Sequence, residues 1–549
     1  MSLRPEPSGP VPEETAQVAR AAFPHGNVYV QMRDVLGPIY NDASFAPLFA
    51  SRGRPAIAPW RLALVTVMQF AEGLSDRQAS EAVRARIDWK YALGLELTDS
   101  GFDHSVLSEF RTRLVDGAAE HLLLDALLAA CNERGYLTAR GRQRTDATHV
   151  LGALRLLNRL EQLAETLRAA LNAVAEVAPD WLREHTPPAW FARYGRRIEE
   201  YRLPKGKAAR QEYAELVGQD GLYLLSLLFT PAAPSAARQL PAVELLRRTW
   251  IQQYVIEDDH LRLRAPTEMP SASAQLESPY EPEVRYANKG GMRWTGYKVH
   301  LTESCDDERP HLLTQVATTI APATDLGHLP VIQAGLDRIG LLPAQQLVDA
   351  GYVHGRSLVA SARDHQIELV GPIAEDHQWQ AKAGQGFDVA HFQIDWDGQQ
   401  VTCPQGRQSI RWSLTHTARG RTMIHVDFAA ADCTPCPVRA LCTRAKTLPR
   451  SLTLQPQAEH EAIQAARQRQ TTAAFAKQYA RRAGIEGTVS QGVRRFGLRH
   501  ARYRGLAKTH LQQVATATAI NIHRLADWLN EVPRAPTRTS QFAALAAAA

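Results

Sequence analysis

GYKVHLTESCDDERPHLLTQVATTI, residues 296–320, decides the fold. Tyr297, Val299 and Leu301 alternate with polar neighbours, and Val316, Thr318 and Ile320 do the same further on. Period-two patterning on both sides of a turn-like DDERP predicts an antiparallel hairpin. Downstream, LGHLPVIQAGLDRIG (326–340) predicts an amphipathic helix, and QQLVDAGYV (345–353) a buried strand ending at Asp349. GRSLVASARDH predicts another helix and IELVG (367–371) another strand. Upstream, RQRTDATHVLGAL (142–154) is rich in Thr and Val and predicts a strand with Asp146 in its middle. An acid is disfavoured inside a strand and needs a reason there; a surface carboxylate on an edge strand is the plain alternative.

Three antiparallel strands are thus followed by strands reached through helical crossovers, which should be parallel. This is an α/β chain with the element order of a ribonuclease-H-like catalytic core, over 141–153, 286–373 and 457–530. Two inserts interrupt it: a helical one with its linker (154–285) and a β-rich one (374–456). In the first, Leu156, Leu160, Leu163, Leu167, Leu171 and Val174 follow a 4-3-4-4-3 spacing. The run is short for a coiled-coil seam and reads as an internally packed helix. Residues 1–140 predict a helical domain behind a loose arm that reaches to about residue 40. WRLALVTVMQFAEG is ended by Gly73, Ser75 and Gln78 form a capping-box pair, and HSVLSEFRTRLVD begins at His104. Arg77, Arg84, Arg86, Arg111 and Arg113 on these short helices fit a helix-turn-helix DNA reader; an ordinary bundle with surface arginines is the alternative. The tail, 531–549, reads as loose.

The chain has 549 residues, 45% of them hydrophobic, and a net charge of +6, so several domains with ample cores and a modest lean towards polyanions are expected. No run of 18 apolar residues predicts a membrane span. Six cysteines in so long a chain argue against a disulfide framework and for a reducing cytoplasm. Four of them, Cys403, Cys433, Cys436 and Cys442, fall in the β-rich insert, where they are candidates for one structural Zn²⁺. Buried free thiols are the alternative.

Residues 476–512, AKQYARRAGIEGTVSQGVRRFGLRHARYRGLAKTHLQ, hold nine Lys/Arg and one acid, Glu486. A helix there sets Tyr479, Arg482 and Glu486 on one face. In the core just inferred, Asp146 and Asp349 fall on adjacent strands and the late helix brings Glu486 over them. Three gathered carboxylates need a cation, and two Mg²⁺ or Mn²⁺ ions would suit in-line displacement at phosphorus.

With those residues in view, the chain resembles bacterial insertion-sequence transposases of the DDE type, in the group with an insertion before the glutamate. The group's Tyr-x2-Arg-x3-Glu-x6-Lys pattern is matched by Tyr479, Arg482 and Glu486, and departs at Val493, with Arg494 next. TDATHV and LVDAGY resemble its two aspartate motifs. The stretch 278–306 resembles the segment before its hairpin, with Glu281 in place of Asp. The resemblance implies Asp146, Asp349 and Glu486 as catalytic metal ligands. Tyr479, Arg482, Arg494, Arg495, Arg499, Lys289 and Lys298 are then expected to bind DNA. It further implies double-stranded element ends and target DNA as partners, a homodimer or higher multimer on DNA, no membrane, and a cytoplasmic, nucleoid-associated site of action. A ribonuclease-H-fold nuclease that cuts without joining, and an inactive DNA-binding descendant, are the competing readings.

Overall fold

A computed structural model describes residues 2–533, apart from 6, 377, 383, 385 and 419. From residue 534 onwards, the tail expected to be loose lies outside the described residues.

The centre is a six-stranded mixed sheet built from β1 (Arg140–Leu151), β2 (Arg285–Lys289), β3 (Met292–Ser304), β4 (Leu313–Ile320), β5 (Pro343–Leu347) and β6 (Glu368–Val370). β3 pairs antiparallel with β1 along one edge. Along its other edge it pairs first with β2 and then with β4. β1 continues into parallel β5, and β5 into parallel β6. The hairpin and the crossover strands therefore stand in the predicted order. Gly296 marks the bend where β3 passes from β2 to β4: its φ is 154°, and a Cβ there would lie 2.2 Å from the Val150 carbonyl oxygen.

With α1 (Pro59–Glu72) before the sheet, the crossover helices are α2 (Asp325–Arg338) and α3 (Gly355–His365). α4 (Gly484–Phe496) carries Glu486, and α5 (Leu506–Leu529) closes the sheet beside β4. On the buried face of α5, Asn521 donates to the carbonyl of Leu313 and accepts from its N–H, at 2.8 and 2.7 Å, so the outer edge of β4 is satisfied by a side chain.

α5 also decides how the N-terminal helices sit. The helix Pro59–Glu72 is apolar nearly all round and buries twelve of its fourteen residues, packing against α5. Phe45, Trp60, Met68 and Phe110 share one core with Val299, Leu301, Leu511 and Ile520, so these helices and the sheet are welded together. The Ser75–Gln78 capping box forms as expected. The loose-arm expectation is corrected: helices span Glu13–Ala22 and Val28–Leu36, the second capped by the Asn27 side chain.

The two inserts have separate cores. In the helical one, Leu163, Leu167, Val174, Val217, Leu246 and Trp250 pack together. Its first long helix begins at Arg159, which leaves Leu156 outside the helix and 70% exposed; the leucine run is an internal packing face that starts later than its spacing suggested. The β-rich insert holds a three-stranded sheet (Ser409–His416, Thr422–Phe428, Ser451–Leu454) over a small core around Val401, Val426 and Phe428. Among the described residues no helix is long and apolar enough to cross a membrane.

Candidate active site

Register brings the two aspartates together. Arg144 of β1 is paired with Leu347 of β5, and Asp146 and Asp349 each stand two residues further along parallel neighbours. Asp349 lies just past the strand end, where its Oδ1 accepts the Gly351 N–H at 2.9 Å and caps the turn Ala350–Tyr352. Burial pushes the Asp146 carboxyl above the usual range, Arg482 draws it back, and the nearby Asp349 charge raises it again.

Glu486 arrives from the first turn of α4. The chain from Tyr479 runs into it through a tighter turn, Ala480–Ala483, that keeps the right-handed path. Arg482 consequently reaches both acids: its Nη2 is 2.7 Å from Asp146 Oδ2 and its Nη1 3.5 Å from Glu486 Oε1. Asp146, Thr148, Glu486, Arg494 and Arg499 line one open cleft of about 420 Å³. Arg499 donates to Thr148 Oγ1 at 2.9 Å, and Tyr479 stacks on Phe475 at the approach, with ring centroids 5.6 Å apart.

What fixes α4 is a buried ionic knot absent from the sequence reading. Glu303 on β3 is fully buried and accepts from Arg144 at 2.5 Å, from Arg524 of α5 at 2.7 Å and from Thr488 of α4 at 2.5 Å. Burial pushes the Glu303 carboxyl up, but the Arg524 and Arg144 charges outweigh it and hold it below the ordinary carboxylate range. Arg144 also donates to the Arg481 carbonyl at 2.6 Å, and Gly484 lies so close that a Cβ would meet the guanidinium at 1.9 Å. The alternation of β3 gave no signal for this, because pairs this distant in sequence leave no local pattern.

The expected DNA-contacting residues divide. Arg494 and Lys289 are exposed. Arg495 is exposed as well, but donates to His523 and lies over Phe496. Lys298 differs from these: it is buried, with Nζ bonded to the Ala323 carbonyl at 2.6 Å and to Asp325 at 2.9 Å. Of the N-terminal arginines, Arg86 pairs with Glu72 and Asp88, Arg111 is buried against Asp76, and Arg113 donates to the Leu48 carbonyl. Arg77 is exposed, and Arg84, also exposed, donates its Nε to the Ser100 carbonyl at 3.0 Å.

A family model described as "Transposase DDE domain" matches residues 402–526, and one described as "Transposase domain (DUF772)" matches residues 17–113. The chain is a DDE-type insertion-sequence transposase. The first match takes in Glu486 and most of α5 but neither aspartate. No curated protein matches the chain. Transposases of this family cleave and join DNA, and they generally use divalent metal ions.

The residues of this transposase fit such ions by donor type: Asp146, Asp349 and Glu486 offer hard oxygens only. Asp146 and Glu486 already hold a cation between them, the Arg482 guanidinium. With that guanidinium in place and the Glu486 side chain 70% exposed, no three His, Cys, Asp or Glu side chains among the described residues close on an ion. The same holds for the cysteines. Cys403, Cys433, Cys436 and Cys442 do converge, lining one cavity of about 300 Å³, but not in positions that close on zinc. Burial raises the Cys442 thiol, with Arg450 opposing.

Proposed function

We propose that this transposase binds the terminal inverted repeats of its own element and carries out strand cleavage and strand transfer in a ribonuclease-H-like core. Asp146, Asp349 and Glu486 would hold the metal ions. The observation that carries this reading is the register that sets mid-strand Asp146 beside Asp349, just past the end of β5, together with the Arg482 guanidinium that reaches both Asp146 and the helix-borne Glu486. Bound divalent ions would activate the attacking oxygen and stabilise the leaving one. The chain's own residues do the rest. Arg494 and Arg499 on the cleft wall attract the phosphodiester, and Tyr479 borders the strand's path. Arg482, which bridges Asp146 and Glu486, would supply a positive charge to the scissile strand beside them. The sheet order β4-β3-β1-β5-β6, with three antiparallel strands before two parallel ones, supports the fold assignment. Synapsis of two ends calls for at least two copies on DNA, acting in the nucleoid.

The test is an assay on DNA carrying the element's own ends. Cleavage and joining are expected with Mg²⁺, and neither with chelator or with scrambled ends. Cutting without joining would indicate a nuclease, and end binding without cutting a decayed enzyme.

A further inference from the structure

A fourth carboxylate lies at the site. Asp325, the first residue of α2, is 9% exposed. A Cβ placed on Gly351 would lie 3.0 Å from both Asp325 Oδ2 and Asp349 Oδ1, so the two acids are neighbours across that glycine. Asp325 differs from Asp349 in its partners. Lys298 Nζ lies 2.9 Å from its Oδ1, and Lys289 Nζ 3.6 Å from its Oδ2. Lys298 is itself 8% exposed and also holds the Ala323 carbonyl, so its ammonium is fixed from two sides. Beneath the same turn, the Tyr352 hydroxyl bonds His300 Nδ1 at 2.6 Å. Burial pushes that imidazole down to about 3, so it is neutral and leaves Lys298 as the buried cation.

We infer that Lys298 is a positioning residue: it neutralises Asp325, so that Asp325 braces the turn bearing Asp349 without competing for the metal ions. Like charges this close need a counter-charge, and a fixed ammonium supplies one that cannot exchange with solvent ions. This rests on the reading of Asp349 as a metal ligand. It assigns to Lys298 a role opposite to a phosphate contact: its partner is an acid of the same chain.

The experiment measures Mn²⁺ uptake from the free-ion resonance signal, alongside end-DNA affinity and cleavage, in the full-length chain. Lys298→Met frees Asp325 to join the cluster. It should tighten Mn²⁺ uptake about tenfold while cleavage falls at least about tenfold and end-DNA affinity holds. Adding Asp325→Asn should return both uptake and cleavage towards the wild-type values. Asp325→Asn alone, which keeps the hydrogen bond to Lys298, should leave uptake unchanged, and this arm stands even if Lys298→Met does not fold. Weaker end-DNA binding by Lys298→Met with no rescue would overturn the inference in favour of a phosphate contact. Loss of Mn²⁺ uptake in Asp325→Asn would overturn it by making Asp325 a ligand. Asp349→Asn is the separate control: normal uptake and cleavage there would instead refute the ligand role of Asp349.

Discussion

Glu486→Gln is expected to lower metal-dependent strand cleavage by about 100-fold or more while end binding persists. The substitution keeps the size and hydrogen-bonding capacity of the side chain and removes only its charge. A metal ion contributes several kcal/mol to stabilising charge in the transition state, and each 1.4 kcal/mol or so is tenfold in rate. Binding should hold or tighten slightly, because a largely exposed negative charge leaves a cleft walled by Arg494 and Arg499. Arg482 would keep its contact to Asp146 at 2.7 Å, so the fold around the cleft has no reason to move. Gel-shift and cleavage assays on the same end DNA read both effects. Near-normal cleavage by Glu486→Gln would remove Glu486 from the site and turn attention to Glu459 or Glu461. Glu459, however, pairs with Arg421 and stands on the separate helix Gln457–Gln470.

Glu303→Ala is expected to destabilise the protein by about 3–5 kcal/mol, the usual cost of removing one partner from a buried ion pair. Arg144 and Arg524 would both be left with charge facing a cavity, and Thr488 would lose its acceptor. The loss should be local first. α4 is tied to the sheet through this acid and through the close approach of Gly484 to Arg144, so its amides should exchange fastest. Cleavage should fall although Asp146, Asp349 and Glu486 are untouched. Glu303→Gln, which keeps the acceptor oxygen, should cost less. Thermal melting and hydrogen exchange check this; an unchanged melting temperature and unchanged protection of α4 would refute it.

Where patterning is local, the sequence was readable. The strands around 296–320 announced themselves by period two, and the order of elements then set Asp146 beside Asp349 without any knowledge of contacts. The capping box at Ser75 was equally plain. The burial of Lys298 was not legible, for a physical reason. Alternation assigns it to an outward face, but β3 is buried on both faces from Gly296 to Ser304, and α2 supplies Asp325 against it. The partners of the basic stretch were not legible for the same reason. Arg481 pairs with Asp307 and Arg482 with Asp146. Arg502 donates to the Gly73 and Leu74 carbonyls at the end of the Pro59–Glu72 helix. Much of that charge therefore holds the site together, with Arg494 left exposed at the cleft. Glu281, expected as an aspartate, is a helix cap: its Oε1 accepts the Gly505 N–H at 2.9 Å just before α5. Such roles depend on partners far away in sequence, which composition and spacing do not encode.

The central claim is that Asp146 touches a metal ion during cleavage. Asp146→Cys tests this most directly, because a thiolate is a poor ligand for Mg²⁺, whereas a transition ion such as Mn²⁺ tolerates sulfur better. The measurement is cleavage of element-end DNA by Asp146→Cys in each ion, relative to wild type in the same ion. Activity lost in Mg²⁺ and recovered in Mn²⁺ is the predicted result. Full activity in Mg²⁺, or an equal loss in both ions with end binding intact, would contradict it.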